Sequence, residues 1–167
     1  SAKYANVTLH QNDTNLGFTK ANNQGWRGAN GEYIFFLNPD TALEENALKT
    51  LTGEMTRNSE IDAIAPQLRF PDGAVQNSCR RFPRYRWTIL EMLGLSRLFP
   101  DSRFFGGWKM GDFDHQSPRM VDQPAGAALM VRRSTLMELG GLDDRFPMFF
   151  SDVDLCRRIR DRGRKIL

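Results

Sequence analysis

The run Tyr33-Ile34-Phe35-Phe36-Leu37, followed by Asn38-Pro39-Asp40-Thr41, constrains the fold more than any other segment. An unbroken apolar stretch of this length suits a strand covered on both faces, and the Asn-Pro-Asp that follows ends it abruptly. Such a strand delivers a carboxylate to the rim of a sheet, where open α/β folds bind their ligands. Asp40, with the Asn38 amide two residues earlier, can hold a hard divalent cation against a diphosphate. The same residues are common turn formers, and Asp40 or Thr41 can instead cap a following helix. The segment alone leaves both readings open.

The flanking pattern alternates strands and helices, which predicts an α/β class. Residues 6–10 alternate enough for a short strand, and Asn12 to Asn15 form a polar turn. A helix is predicted over Phe18–Arg27, stopped by Gly28, and another over residues 41–56, where Leu43, Ala47, Leu48 and Leu51 share a stripe. Ile61–Ile64 reads as a strand, and Phe70-Pro71-Asp72-Gly73 as a turn returning through Ala74 and Val75. Helices follow over residues 86–98, 134–139 and 151–162, with a strand-like end to residues 124–131. Residues 100–118 mix glycines, aromatics and charges and read as a mobile loop.

A chain of 167 residues can bury one core, so residues 1–167 are expected to form a single domain. A net charge of +3 is too small to announce a nucleic-acid protein, and none is expected as a partner. Two basic clusters, Arg80 to Arg86 and Arg157 to Lys165, can meet phosphates or anionic lipid. No apolar stretch reaches bilayer length, and Ser1-Ala2-Lys3-Tyr4 does not open a signal peptide, so cytoplasmic residence is expected. Cys79 and Cys156 fit no metal spacing and are expected as unpaired, buried thiols. With only His10 and His115 besides, a zinc site has almost no material.

Three further segments can carry chemistry. Asp152 and Asp154 open the last predicted helix, with Ser151 as a good N-cap. They suit a capping box and the helix dipole, or one of them serves as a general base toward a hydroxyl. Two residues apart, they do not share a helix face, so at most one points into a given site. Gly126-Ala127-Ala128 allows close approach of a ligand or simply tight packing. Arg80 to Trp87 interleaves cations and aromatics, as membrane-surface and single-strand-binding segments do; a solvated loop with anchored rings is the commoner outcome.

In order, Asn15-Leu16-Gly17-Phe18, Asn22-Asn23-Gln24-Gly25, Leu37 to Thr41, Gly126 to Arg133, Gly140 to Phe146, and Asp152-Val153-Asp154-Leu155 with Arg158 form a series. The series resembles family 2 of the inverting glycosyltransferases, in particular the bacterial rhamnosyltransferase-like branch. The resemblance implies a GT-A type fold: a mixed, mostly parallel sheet flanked by helices. It implies sugar transfer with inversion from a nucleoside diphosphate sugar to a glycan or lipid-linked acceptor, in cell-surface polysaccharide synthesis. It also implies a divalent cation, Mg2+ or Mn2+. In that family Asp40 matches the metal ligand and Asn38 the start of the same acidic motif. Asp152 matches the catalytic base, although Ser151 stands where a Glu is usual. Asp154 matches a structural position, and Gly126 and Ala127 would lie under a bound sugar. The family's opening strand–helix–strand unit has no counterpart here. The nucleotide-binding half is therefore expected to be incomplete, and the chain alone is expected to be inactive. The alternative is a non-catalytic binding or assembly module built on the same fold. Location at the inner face of the membrane, with peripheral contact, follows from a lipid-linked acceptor.

Overall fold

The computed structural model describes residue 4, residues 6–99 and residues 101–167. The reading of residues 1–3 as no signal peptide, and Pro100 in the expected loop, lie outside them.

Four strands make the main sheet: β1 (Tyr33–Leu37), β2 (Ile61–Ile64), β5 (Ala128–Arg132) and β6 (Lys165–Ile166). Their spatial order is β1-β5-β2-β6. A two-stranded ribbon pairs β3 (Cys79–Arg80) with β4 (Gln123–Pro124). The helices are α1 (Phe18–Arg27), α2 (Ala47–Arg57), α3 (Tyr85–Met92), α4 (Leu95–Leu98), α5 (Arg133–Leu139) and α6 (Ser151–Asp161).

Period-2 alternation sorts the strands' side chains to two faces. Ile34, Phe36, Leu129 and Val131 join the larger core with Trp26 of α1, Leu136 of α5 and Leu155 and Ile159 of α6. Met130 points to the other face, where it meets Leu51 and Met55 of α2, with Tyr33 and Phe35 packed alongside. Both faces are thus covered, which is why β5 is apolar from Ala128 to Val131 and β1 throughout its buried positions.

The α/β class holds, with one correction to the expected sheet. β1, β2 and β6 do run in one direction, but β5 runs against them and lies between β1 and β2. Only β2–β6 pairs in parallel among the described residues. The single crossover through α2 carries the chain from β1 to β2 but leaves a strand-wide gap, and β5 fills it from the opposite direction. Among the described strands β1 lies at an edge of the sheet. An open groove of about 440 Å³ runs between it and α1.

Local boundaries differ where hydrogen bonding overrides pattern. Residues 6–10 form no strand; all are exposed and pair with no strand among the described residues, and alternation without a sheet does not hold a strand. The helix expected from residue 41 begins at Ala47, because Thr41 turns its N–H and hydroxyl back to the Asn38 carbonyl (3.2 and 2.6 Å). The helix over 86–98 is split by Gly94, whose φ of 73° lies outside the helical region. The loop read as mobile is tied down in places: Arg81 donates to the Gly107 carbonyl (2.6 Å) and Asp112 (2.7 Å). His115 is buried and stacked on Phe113. Cys156 is fully buried as expected, but Cys79 only half so.

Candidate active site

The ends of β1 and the start of β5 meet because the two strands pair antiparallel, Leu37 opposite Ala128. One further bond past the ladder, Asn38 N–H to the Ala127 carbonyl (2.9 Å), joins the two loops. On its other side the same loop is held by Ala125 N–H to the Ser78 carbonyl (2.8 Å). Gly126 sits between these anchors with its own N–H free to point elsewhere.

It points to Asp152. Gly126 N–H donates to Asp152 Oδ2 (3.1 Å), and Val153 N–H donates to Oδ1 (2.9 Å). The carboxylate is therefore aimed by two backbone donors, each of which leaves lone pairs for a substrate. A Cβ on Gly126 would lie 3.0 Å from the Asp152 side chain, tighter than most real Cβ contacts, so the carboxylate would have to give by a few tenths of an ångström. Glycine suits this position through the close approach of a neighbouring side chain, not through an unusual φ.

α6 starts differently from the expected cap. Ser151 is its first helical residue and is buried; the preceding Phe150 adopts φ 66°, a strained conformation for an aromatic residue. Asp154 builds no capping box. It pairs with Arg158 one turn on (2.7 Å), and Arg158 also donates to the carbonyls of Leu139 and Gly141 (3.0 and 2.9 Å). Asp154 thus locks α6 to the end of α5, while Asp152 faces the cleft.

The approach to α6 is fixed by α1. Asn23, buried, donates to the Leu142 carbonyl and Asp144, and accepts from Leu142 N–H and Trp26 Nε1. Thr19 donates its hydroxyl to the Phe146 carbonyl and its N–H to that of Pro147. The early Asn-Asn motif and the Gly-Gly-Leu-Asp-Asp motif, far apart in sequence, are two sides of one clamp.

Asn38, Gly126, Ala127 and Asp152 line one cleft of about 260 Å³. Its opposite wall is apolar, made by Phe18, Phe36, Leu142, Met148, Phe149 and Phe150. Sequence reasoning passed over that wall, noting residues 146–150 only as aromatic; their exposure is what marks them, and it is not written in composition. Asp40 does not line the cleft. It is exposed on the adjoining turn, and its carboxylate has no hydrogen-bond or ion-pair partner among the described residues.

Among the described residues no three His, Cys, Asp or Glu side chains gather into a ready metal cage. The residues present still fit a divalent cation of the hard type. Magnesium is commonly held by one or two carboxylates, with phosphate oxygens and water completing the shell. An unneutralised rim carboxylate with an amide two residues away is such a partial donor set.

The fold is an α/β domain with a cleft at its strand ends, one carboxylate aimed by backbone donors and another exposed on the adjoining turn. Residues 1–114 match the family model described as Glycosyl transferase family 2. The chain belongs to that family. It is 30% identical, over 96% of its own length, to an N-acetylglucosaminyl-diphospho-decaprenol L-rhamnosyltransferase of Mycobacterium tuberculosis, covering 55% of that protein. It is 28% identical to the rhamnosyltransferase WbbL of Escherichia coli, over 92% of the chain and 54% of the relative. A low-salt glycan biosynthesis hexosyltransferase of Haloferax volcanii is 23% identical over 87% of the chain and 44% of its own length. The chain spans about half the length of these curated relatives. The family match covers Asn38 and Asp40, while Gly126 and Asp152 lie beyond it.

Proposed function

We propose that this chain carries the acceptor-activating side of a glycosyltransferase. The reaction moves a sugar from a nucleoside diphosphate sugar to a hydroxyl of a glycan or lipid-linked acceptor, with inversion, in cell-surface polysaccharide synthesis. Asp152 is the general base. One observation carries the reading: its carboxylate is held by Gly126 N–H in the same cleft as Asn38. A base so fixed takes the acceptor proton as the hydroxyl attacks the anomeric carbon from the face opposite the leaving diphosphate. Gly126 and Ala127 line the space for a sugar ring, and the Phe149–Phe150 wall shields the reacting face from water. Asp40, with Asn38, would hold Mg2+ or Mn2+, which when bound offsets negative charge on the diphosphate. The decaprenol-linked and rhamnosyl substrates in the relatives' names support a lipid-linked acceptor and a deoxyhexosyl donor for this chain as well. That acceptor also supports work at the inner face of the membrane.

The test is Asp152→Asn in the protein that carries this chain, assayed with a panel of nucleoside diphosphate sugars and manganese. Turnover is expected to fall by about a thousandfold with folding intact. Undiminished turnover would sink the assignment and favour the non-catalytic module.

A further inference from the structure

α3 is amphipathic the wrong way round for a helix on a globular surface. Trp87 alone is its buried ring, while Tyr85, Ile89 and Met92 recur at helical spacing on the side facing water. Their exposure is 92%, 56% and 83%. The apolar surface continues past Gly94 through Leu98 and Phe99, and reaches Phe104 through the Phe99–Phe105–Phe104 ring contacts, each 5.1 Å between centroids. Arg86 links the ends of the patch, its guanidinium over both the Trp87 and Phe104 rings (4.7 and 6.0 Å).

The patch is built, not frayed. Trp87 Nε1 donates to the Phe104 carbonyl (3.2 Å), and a Cβ on Gly107 would lie 2.7 Å from the Trp87 ring. Trp87 is thereby seated tightly enough to fix which way α3 faces.

Charge identifies what covers it. Residues 80–109 hold seven Lys and Arg against two acids, a surplus larger than that of the whole chain. The two acids include Glu91, which Lys109 neutralises. Arg84, Arg86, Arg97 and Arg103 form no ion pair with any described residue. Exposed Tyr, Ile, Met and Leu flanked by unpaired arginines are complementary to a surface that is apolar just below a layer of anions. A water-soluble acidic partner would leave the apolar stripe uncovered. No helix of the described residues is long and apolar enough to cross a bilayer.

We infer that the α3–α4 face docks this protein on an anionic lipid bilayer, with Tyr85, Ile89 and Met92 entering the interface and Arg84, Arg97 and Arg103 meeting lipid phosphates. The docking stands on these residues and not on the transfer reading. Failure of the unaltered protein to bind anionic vesicles, with transfer to a water-soluble acceptor intact, would overturn docking alone.

The experiment is vesicle flotation of the chain with phosphatidylcholine alone and with phosphatidylcholine containing phosphatidylglycerol. Binding is expected to the anionic vesicles only, and to weaken steeply with salt. The Ile89→Ser/Met92→Ser pair is expected to weaken it about tenfold, as is Arg97→Gln/Arg103→Gln at low salt. Because these side chains are exposed, circular dichroism should stay unchanged. Tyr85→Trp supplies an independent readout: its emission should shift to the blue when anionic vesicles are added. Equal binding by the serine variant, equal binding to neutral vesicles, or no blue shift would overturn the proposal. So would a concentration-dependent dimer in sedimentation that Met92→Ser dissolves, since the face would then belong to a second copy.

Discussion

The 38–41 turn and the start of α6 each bring an aspartate to the same end of the sheet, and they treat it in opposite ways. Asp40 projects from a turn closed by Thr41 on Asn38, with its carboxylate unpartnered among the described residues. Asp152 is gripped through both oxygens by backbone N–H groups from two different elements. The difference suits the two roles proposed for them. A general base works only within hydrogen-bonding reach of one proton, so its orientation must be set in advance. A metal ligand completed by substrate phosphates gains from adjustable geometry, since part of its shell arrives with the ligand. Asp154, two residues from Asp152, is the internal control: same helix turn, similar burial, and a purely structural pairing with Arg158.

That contrast can be broken in graded steps. The largest effect belongs to Asp152: its conversion to Asn should lower the transfer rate about a thousandfold at any metal concentration. Rescue by added manganese would erase the distinction between the two aspartates. Asp40→Asn should instead raise the manganese needed for half-maximal rate by about tenfold or more, and saturating metal should recover most activity; a titration of initial rate decides. Gly126→Ala keeps both carboxylates but pushes on one of them. About tenfold lower turnover is expected, with the manganese requirement unchanged, because the added methyl displaces Asp152 and leaves Asp40 alone. Asp154→Asn should leave turnover per folded molecule intact while costing about 1–2 kcal/mol in denaturant unfolding, given a half-buried pair.

The smallest effect comes from a third carboxylate, far from this contrast in role. Hydrogen bonding and charge from Arg81 hold the Asp112 carboxyl down to about 2, below its ordinary value of 3.8. A depressed folded-state value means the Arg81–Asp112 contact contributes fully above pH 3.8 and is lost as pH falls through about 2. Asp112→Asn should therefore cost a little stability near neutrality, no more than about 1 kcal/mol, and the difference from the unaltered protein should vanish as pH falls toward about 2, which a melting-temperature profile against pH checks.

Much of this was legible in residue order. Tyr33 to Leu37, Phe18 to Arg27 and Ile61 to Ile64 announce themselves by local pattern, because burial on both faces or one stripe is written in apolar spacing. That Asp152 and Asp154 must diverge follows from helical geometry alone, and they do. What stayed hidden depends on partners far away in sequence. The direction of β5 is a property of its pairing with Tyr33 to Leu37, not of its own residues. The late start of α2 is decided by a carbonyl at Asn38. The outward face of α3 was hidden for the same reason: Leu, Ile and Met spacing shows a stripe but not which side of the helix the rest of the molecule occupies.

The insertion of β5 between β1 and β2 also has a kinetic side. β1, α2 and β2 are contiguous and can form from near neighbours, but Leu37 finds Ala128 only after some ninety residues have been gathered in between. Contacts of such separation are entropically expensive to close and form slowly. During folding, then, the turn bearing Asp40 is expected to exist well before the seat of Asp152. The central strand is the last piece of the cleft to arrive, and until it does the sheet has two open inner edges exposed to aggregation.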